Sequence, residues 1–356
     1  MNCFSKQQTN ISKGVALLLL IWHHLFYNSP EYYSYFVSVH SYKGIPVECY
    51  FADFCKVCVA IFFFLSGYGL FVSYSKGIKG VRDKLSKRIE FNIGYVVKRL
   101  LRLLSDYWFI YIIFVPLGLL FGREFYLIYG QNPFAYLADI FGVSYLFYGY
   151  EATMNVTWWY MSIIIVYYIA FPILYRIEKL SGELLLLISG ILMLIVPDYR
   201  ELTIWILPYS LGIYFADRDI FSRLDRQLGG KPLLSFAVSG LAVVLFAYIR
   251  ANYLGLLVDS LFAIAVILFT FFILSKIPVL NRILEQIGKY SGSIFMFHTF
   301  ILGYYFKDFV YSFKYAALIF VVTVAICFVI AVLIEQIKKI IGYNRLVDFL
   351  CKKING

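Results

Sequence analysis

Apolar residues run through this chain in blocks of about 20, separated by short polar segments. That block length matches a helix crossing a hydrocarbon core about 30 Å thick. Ten blocks stand out, at 12–29, 52–74, 103–122, 157–175, 183–199, 202–217, 232–250, 255–274, 290–308 and 315–335. They predict an all-α membrane protein, a polytopic bundle of ten transmembrane helices. The fifth and sixth blocks are parted only around Pro197 and Asp198, where a re-entrant hairpin is the competing reading. One polar stretch has its own rhythm. Val81, Leu85, Ile89, Ile93 and Val97 recur at every fourth position, which predicts an amphipathic helix lying in the membrane interface. No internal repeat or soluble domain is legible, so residues 1–356 read as one transmembrane domain.

Composition agrees with that pattern. The chain is 62% hydrophobic and 15% charged, whereas a soluble domain carries about a quarter charged residues. The charges also orient the bundle. With the N-terminus inside, 25 of the 32 Lys and Arg fall in cytoplasmic segments and six in outside segments, as the positive-inside rule requires. Both termini are then cytoplasmic. The net charge of +11 reflects topology and anionic lipid headgroups, and no nucleic-acid partner is expected. The first block has no small-residue cleavage site after it and is expected to persist as a signal anchor. Cys55 and Cys58 form a C-x-x-C with no second pair, so no metal is expected.

Ionisable groups at membrane depth are costly and usually face a bundle interior or a wet cavity. Adjacent His23 and His24 interrupt the first apolar block. His24 follows Lys13 by eleven positions, which is three turns plus about 20° and roughly 16 Å along a helix. The two therefore share a face, and the spacing puts His24 near mid-bilayer. His23, about 100° round the helix, is expected to serve packing. His298 lies nine residues past Lys289, roughly 14 Å into the ninth block. A structural histidine bonded to a carbonyl is its bland alternative.

Other polar positions have weaker signals. Arg99 and Arg102 occupy neighbouring helix positions and suit a phosphate, although membrane anchoring also explains them. Asp106, four residues on, can neutralise Arg102. Ser66-Gly67-Tyr68 permits close helix approach and adds a hydroxyl. Trp159 and Tyr160 follow Asn155-Val-Thr-Trp158, where an aromatic belt is the plain alternative. Glu335 closes the tenth block and reads as solvated at the interface. Asp259 sits inside the eighth block and needs a partner.

Taken in order, these groups resemble acyltransferase family 3, the integral membrane acyltransferases of bacterial surface glycans. The resemblance is carried by Lys13 with ten residues before His24, Phe63-Phe-Leu-Ser66-Gly-Tyr68, Arg99-Leu-Leu-Arg102, Trp159-Tyr160-Met-Ser162 leading to Phe171-Pro172, and Tyr290-Ser291 leading to Phe295-Met-Phe297-His298. It implies a donor acyl-CoA, most often acetyl-CoA, entering from the cytoplasm, and an extracytoplasmic hydroxyl acceptor on a sugar or glycolipid. His24 would be the catalytic base or acyl relay, since a neutral imidazole is the usual proton acceptor near neutral pH. Lys13, Arg99 and Arg102 would hold the donor. His298, Ser66 or Tyr68 would polarise the thioester carbonyl, with Tyr68, Trp159, Tyr160 and Glu335 also near substrate. The implied location is the bacterial plasma membrane.

Three readings compete. A proton-coupled transporter would also bury histidines, but no repeat halves are visible. A non-catalytic recognition module would not need the His24 and Arg99/Arg102 motifs. A membrane-bound O-acyltransferase of the other large class would need an Asn or Asp partner that His298 lacks in sequence.

Overall fold

The computed structural model describes residues 4–81, 84–123, 125–130, 132–196, 200–253 and 255–354. The Pro197–Asp198 link on which the hairpin alternative turned lies outside these residues. The described residues are 81% helical. Its sheet, among the described residues, is one hairpin of β1 (Ser41–Tyr42) and β2 (Ile45–Pro46). Lys43 and Gly44 both take positive φ between them, the geometry of a two-residue type I′ turn.

In chain order the helices are α1 (Lys6–Leu25), α2 (Val47–Cys55), α3 (Cys58–Ile78), α4 (Leu85–Leu117), α5 (Phe125–Tyr129), α6 (Pro133–Ile140), α7 (Ser144–Tyr148), α8 (Trp159–Leu180), α9 (Gly182–Ile195) and α10 (Arg200–Ile204). The second half holds α11 (Ile206–Asp217), α12 (Ile220–Leu228), α13 (Pro232–Asn252), α14 (Leu256–Phe272), α15 (Pro278–Lys289), α16 (Ser291–Thr299), α17 (Lys307–Tyr311), α18 (Ala316–Ile340) and α19 (Tyr343–Lys353).

Six stretches among the described residues are long and apolar enough to cross a membrane: Val47–Ile78, Leu85–Leu117, Val156–Leu180, Pro232–Asn252, Leu257–Lys276 and Ala316–Ile340. The all-α membrane class therefore holds. The other four predicted spans fall on helices, but α1 starts in polar sequence, α9 is short, 202–217 breaks between α10 and α11, and 290–308 changes to a π-helix at Phe300–Tyr305. Hydropathy windows average across such breaks, so the sequence overstates the uninterrupted spans. The stretch predicted to be an amphipathic helix is helical from Leu85, but not as a separate element. Leu85, Ile89, Ile93 and Val97 lie on the first turns of α4, exposed, and continue without a break into the third span.

The chain forms two compact units interleaved in sequence. The first holds Met1–Asn28, Ser41–Lys79 and Phe171–Ser291; the second holds Ser29–His40, Gly80–Ala170 and Gly292–Gly356.

In the first unit, helix backbones approach closely at two pairs of glycines. A Cβ on Gly67 would overlap the Tyr209 carbonyl oxygen, and one on Gly212 would overlap that of Phe64, so α3 and α11 pack through a reciprocal glycine pair. Gly14 and Gly288 do the same for α1 and α15, against Leu284 and Asn10. This is the small-residue packing of helices in lipid, where close van der Waals contact replaces the hydrophobic drive. Around it pack aromatic rings, with Phe4 stacked on Phe221 at 4.1 Å.

The second unit is held by polar anchors. In the segment before α8, the Asn155 side-chain oxygen accepts hydrogen bonds from the Thr157 N–H and from the Thr157 and Thr299 hydroxyls. Its amide donates to the Met296 carbonyl at 3.3 Å, and Trp158 Nε1 donates to the same oxygen at 2.8 Å. The Asp139 carboxylate, 1% exposed, accepts from the Tyr129 hydroxyl, the Thr153 hydroxyl and the Met154 N–H.

Candidate functional site

The first unit contains a cleft of about 590 Å³ whose wall includes His23, Tyr50, Asp53, Lys56, Arg250 and Asp259. A helix break creates it. α2 ends at Cys55 and α3 begins at Cys58, so Lys56 sits at the junction, exposed, inside a stretch that reads as one span in sequence. The last carbonyls of a helix have no intrahelical partner. Ala52 contributes one, and His23 Nδ1 meets it at 2.8 Å. A carbonyl oxygen only accepts, so Nδ1 carries the proton and Nε2 keeps its lone pair. One residue earlier, Trp22 Nε1 donates to the Glu48 carbonyl at 3.1 Å. Successive side chains of α1 thus grip carbonyls four residues apart on α2.

Of the four charged side chains on the wall, two are paired with each other. Asp259, which the sequence left in need of a partner, is ion-paired with the Arg250 guanidinium, and both side chains are largely buried. The Asn28 amide donates to Asp53 at 2.7 Å. Lys56 has no ion-pair partner among the described residues. The two cations and two carboxylates balance. Tyr27, Tyr50 and Phe54 add aromatic surface.

The predicted residues of this unit distribute as follows. His23 and His24 occupy the last turn of α1, not its middle, because the helix runs from Lys6 to Leu25. Their rings are 5.3 Å apart, edge to face. His23 lines the cleft wall and His24 does not. Lys13 and His24 are half-buried on α1, and Ser66 is half-buried on α3. Tyr68 is buried in an aromatic cluster, 5.1 Å from Phe4 and 5.7 Å from Phe221.

In the second unit His298 is fully buried on α16. Its Nδ1 donates within its own helix, at 2.8 Å to the Phe295 carbonyl and 3.2 Å to that of Ile294. The carbonyl-bonded geometry of the bland reading is therefore present, with the proton again on Nδ1. Asn155 and Trp158 fix the backbone around His298 from outside its helix, through the Met296 carbonyl and the Thr299 hydroxyl. Trp158 is 2% exposed, so it is no belt residue. Trp159 and Tyr160 are half-buried, and Tyr160 packs on Phe295 at 4.9 Å.

Among the basic residues of α4, Arg99 lies 5.2 Å over the Tyr95 ring. Arg102 pairs with Asp348 of α19 at 3.1 Å, with both side chains about 60% exposed, and not with Asp106. Asp106 instead pairs with Lys338 at 2.8 Å. Lys338 also reaches Glu335 at 2.8 Å. Glu335 is therefore bound within an ion-pair network and not simply solvated. The sequence counted Lys338 as a cytoplasmic anchor, yet it is fully buried between the two carboxylates. The sequence assigned no site role to Lys56, Arg250, Asn155 or Lys338. Their one signal was position: each is a polar residue in or beside an apolar block.

Among the described residues, no group of three or more His, Cys, Asp or Glu is placed to hold a metal ion. In comparison with protein families, the model described as an acyltransferase domain, that of acyltransferase family 3, matches residues 8–332. Neither the curated proteins nor the solved structures gave a match.

Proposed function

On the premise that this chain belongs to acyltransferase family 3 and is a multi-pass membrane acyltransferase, we propose that it moves an acyl group, acetyl first among candidates, from cytoplasmic acyl-CoA to a hydroxyl of an extracytoplasmic glycan or other envelope acceptor. The observation that carries this reading is the family match over 8–332, which takes in every motif from Lys13 to His298. Both termini lie in the cytoplasm and the bundle has ten crossings, four of them by short or broken helices. The membrane is the bacterial plasma membrane.

Roles follow from residue chemistry. His24 removes the acceptor proton or carries the acyl group as a relay. Arg99 and Arg102 grip the CoA phosphates with forked, charge-assisted hydrogen bonds, and Lys13 adds a point charge. His298, whose Nδ1 carries the proton, presents Nε2 as a hydrogen-bond acceptor, so it suits a hydroxyl better than a thioester carbonyl. Ser66 and Tyr68 offer hydroxyl donors, and Trp159 and Tyr160 offer ring surface to a sugar.

The test is ester analysis of the envelope. Alkali-labile acyl groups should disappear from one envelope fraction when the gene is deleted and return with the wild-type gene. An unchanged ester content in every fraction would defeat the reading.

A further inference from the structure

We propose that the cleft of the first unit is the acceptor site, and that His23, the residue beside the motif histidine, is the imidazole that meets the acceptor hydroxyl. This rests on the acyltransferase reading above.

Three features of the cleft support it. The first is tautomer control. With Nδ1–H donated to the Ala52 carbonyl, His23 has one nitrogen left, an unprotonated Nε2 on a ring that forms the cleft wall. A hydroxyl needs such an acceptor, and backbone orientation of the second nitrogen is how proteins fix it. Rotating the ring would cost the Ala52 hydrogen bond.

The second feature is the charge pattern. The wall carries Lys56 and Arg250 against Asp53 and Asp259. A balanced wall does not select a strongly charged ligand. It does offer both donors and acceptors, and Tyr27, Tyr50 and Phe54 add apolar ring surface. That combination suits a hydroxyl-rich, sugar-like ligand, whose ring faces are apolar and whose edges donate and accept. Pockets of this size, a few hundred Å³ with a few fixed polar groups, hold small ligands or one or two residues of a larger one.

The third feature is the helix break at Lys56–Val57. An ammonium inside an apolar stretch is costly unless it lines a wet cavity or binds something. The α2–α3 junction delivers Lys56 to the cleft and also frees the Ala52 carbonyl that holds His23. One local interruption therefore builds both the polar wall and its base.

In the step this implies, the acceptor O–H bond breaks and its proton passes to His23 Nε2. With His23 as the base, His24 is the relay, having taken the acyl group from the thioester as the CoA sulfur left with the imidazole proton. The acceptor oxygen forms a bond to the acyl carbon as that carbon separates from the His24 nitrogen, and the departing nitrogen takes the proton back.

The experiment uses the full-length protein in membranes, labelled acetyl-CoA and purified envelope polysaccharide of the host strain. His23→Gln should lower turnover at saturating acceptor by about 100-fold or more, within the range of a lost general base. Lys56→Ala and Tyr50→Phe should raise the acceptor KM several-fold with turnover little changed. The KM for acetyl-CoA should stay within twofold in all three. Wild-type acceptor KM and turnover in all three variants would overturn the assignment, as would a change confined to the acetyl-CoA KM. Absence of transfer by the wild type would instead defeat the acyltransferase reading, so the two failures are distinguishable.

Discussion

His23 Nδ1 lies 2.8 Å from the carbonyl oxygen of Ala52. The carbonyl is one of those left open where α2 stops, so a helix terminus and a histidine tautomer are set by the same contact. Trp22 makes the matching contact to Glu48. Together they fix α1 against α2 at the point where the imidazoles sit.

The ion pair on the cleft wall predicts a stability effect. Asp259→Ala leaves the Arg250 guanidinium, 9% exposed, without its counter-charge. Removing one partner of a buried pair costs about 3–5 kcal/mol. The partial exposure of Asp259 puts the expected loss near about 3 kcal/mol. Arg250→Met combined with Asp259→Leu should recover most of it, because no buried charge remains. Thermal unfolding in detergent reads both.

The glycine pair gives a sharper comparison. Gly67→Ala drives a methyl into the Tyr209 carbonyl, so α3 and α11 must separate. Gly69, two residues on, has open space where a Cβ would go. Overpacking costs about 1–3 kcal/mol and sometimes more. Gly67→Ala should lower the melting temperature by several degrees or prevent folding, and Gly69→Ala should leave it unchanged. Equal effects would mean that the close approach is absent.

Asp139 predicts a pH dependence. Burial pushes its carboxyl up from 3.8 to about 6, against the opposing pull of the Tyr129, Met154 and Thr153 hydrogen bonds. The folded state therefore holds this proton to higher pH than the unfolded chain. The contribution to stability is complete below about pH 4 and is lost as pH rises through about 6, a swing of about 3 kcal/mol. Asp139→Asn has no such titration, and its amide can face the Thr153 hydroxyl. The variant should gain on the wild type between pH 4 and 7. Parallel melting curves across that range would contradict the prediction.

On α4, Arg102 is held by Asp348 in a pair too exposed to add much stability. A phosphate competing for Arg102 must displace that carboxylate. Arg99→Ala and Arg102→Ala should each raise the acyl-CoA KM roughly tenfold or more, the loss of a charge-assisted contact of about 1.5–3 kcal/mol. Arg102→Lys should rescue only in part, since an ammonium cannot make the forked contact. Asp348→Asn should lower the donor KM. A donor KM unchanged in all four variants would return the arginines to membrane anchoring.

Much of this molecule is legible in the sequence, and the limits have physical causes. Hydrophobic blocks locate the helices because lipid demands long apolar segments. They miss the breaks, since one Lys56 or one π-turn hardly alters a 20-residue average. Asp259 stands out as a costly charge, but its partner Arg250 looks like an ordinary interfacial cation nine residues away. Lys338 is disguised in the same way, because cytoplasmic lysines are expected whether they are solvated or buried. The five motifs identify the family. They do not reveal that His23, rather than His24, lines the cleft, because neighbouring residues on one helix differ by only about 100° in direction.

The measurement that bears most directly on the central claim is acyl transfer by the purified protein in lipid vesicles, with labelled acetyl-CoA and host envelope glycan. The wild type should place label on the glycan as an alkali-labile ester. His24→Ala, matched for expression and melting temperature, should place none. Failure of the wild type to label any acceptor, or full labelling by His24→Ala, would contradict the account.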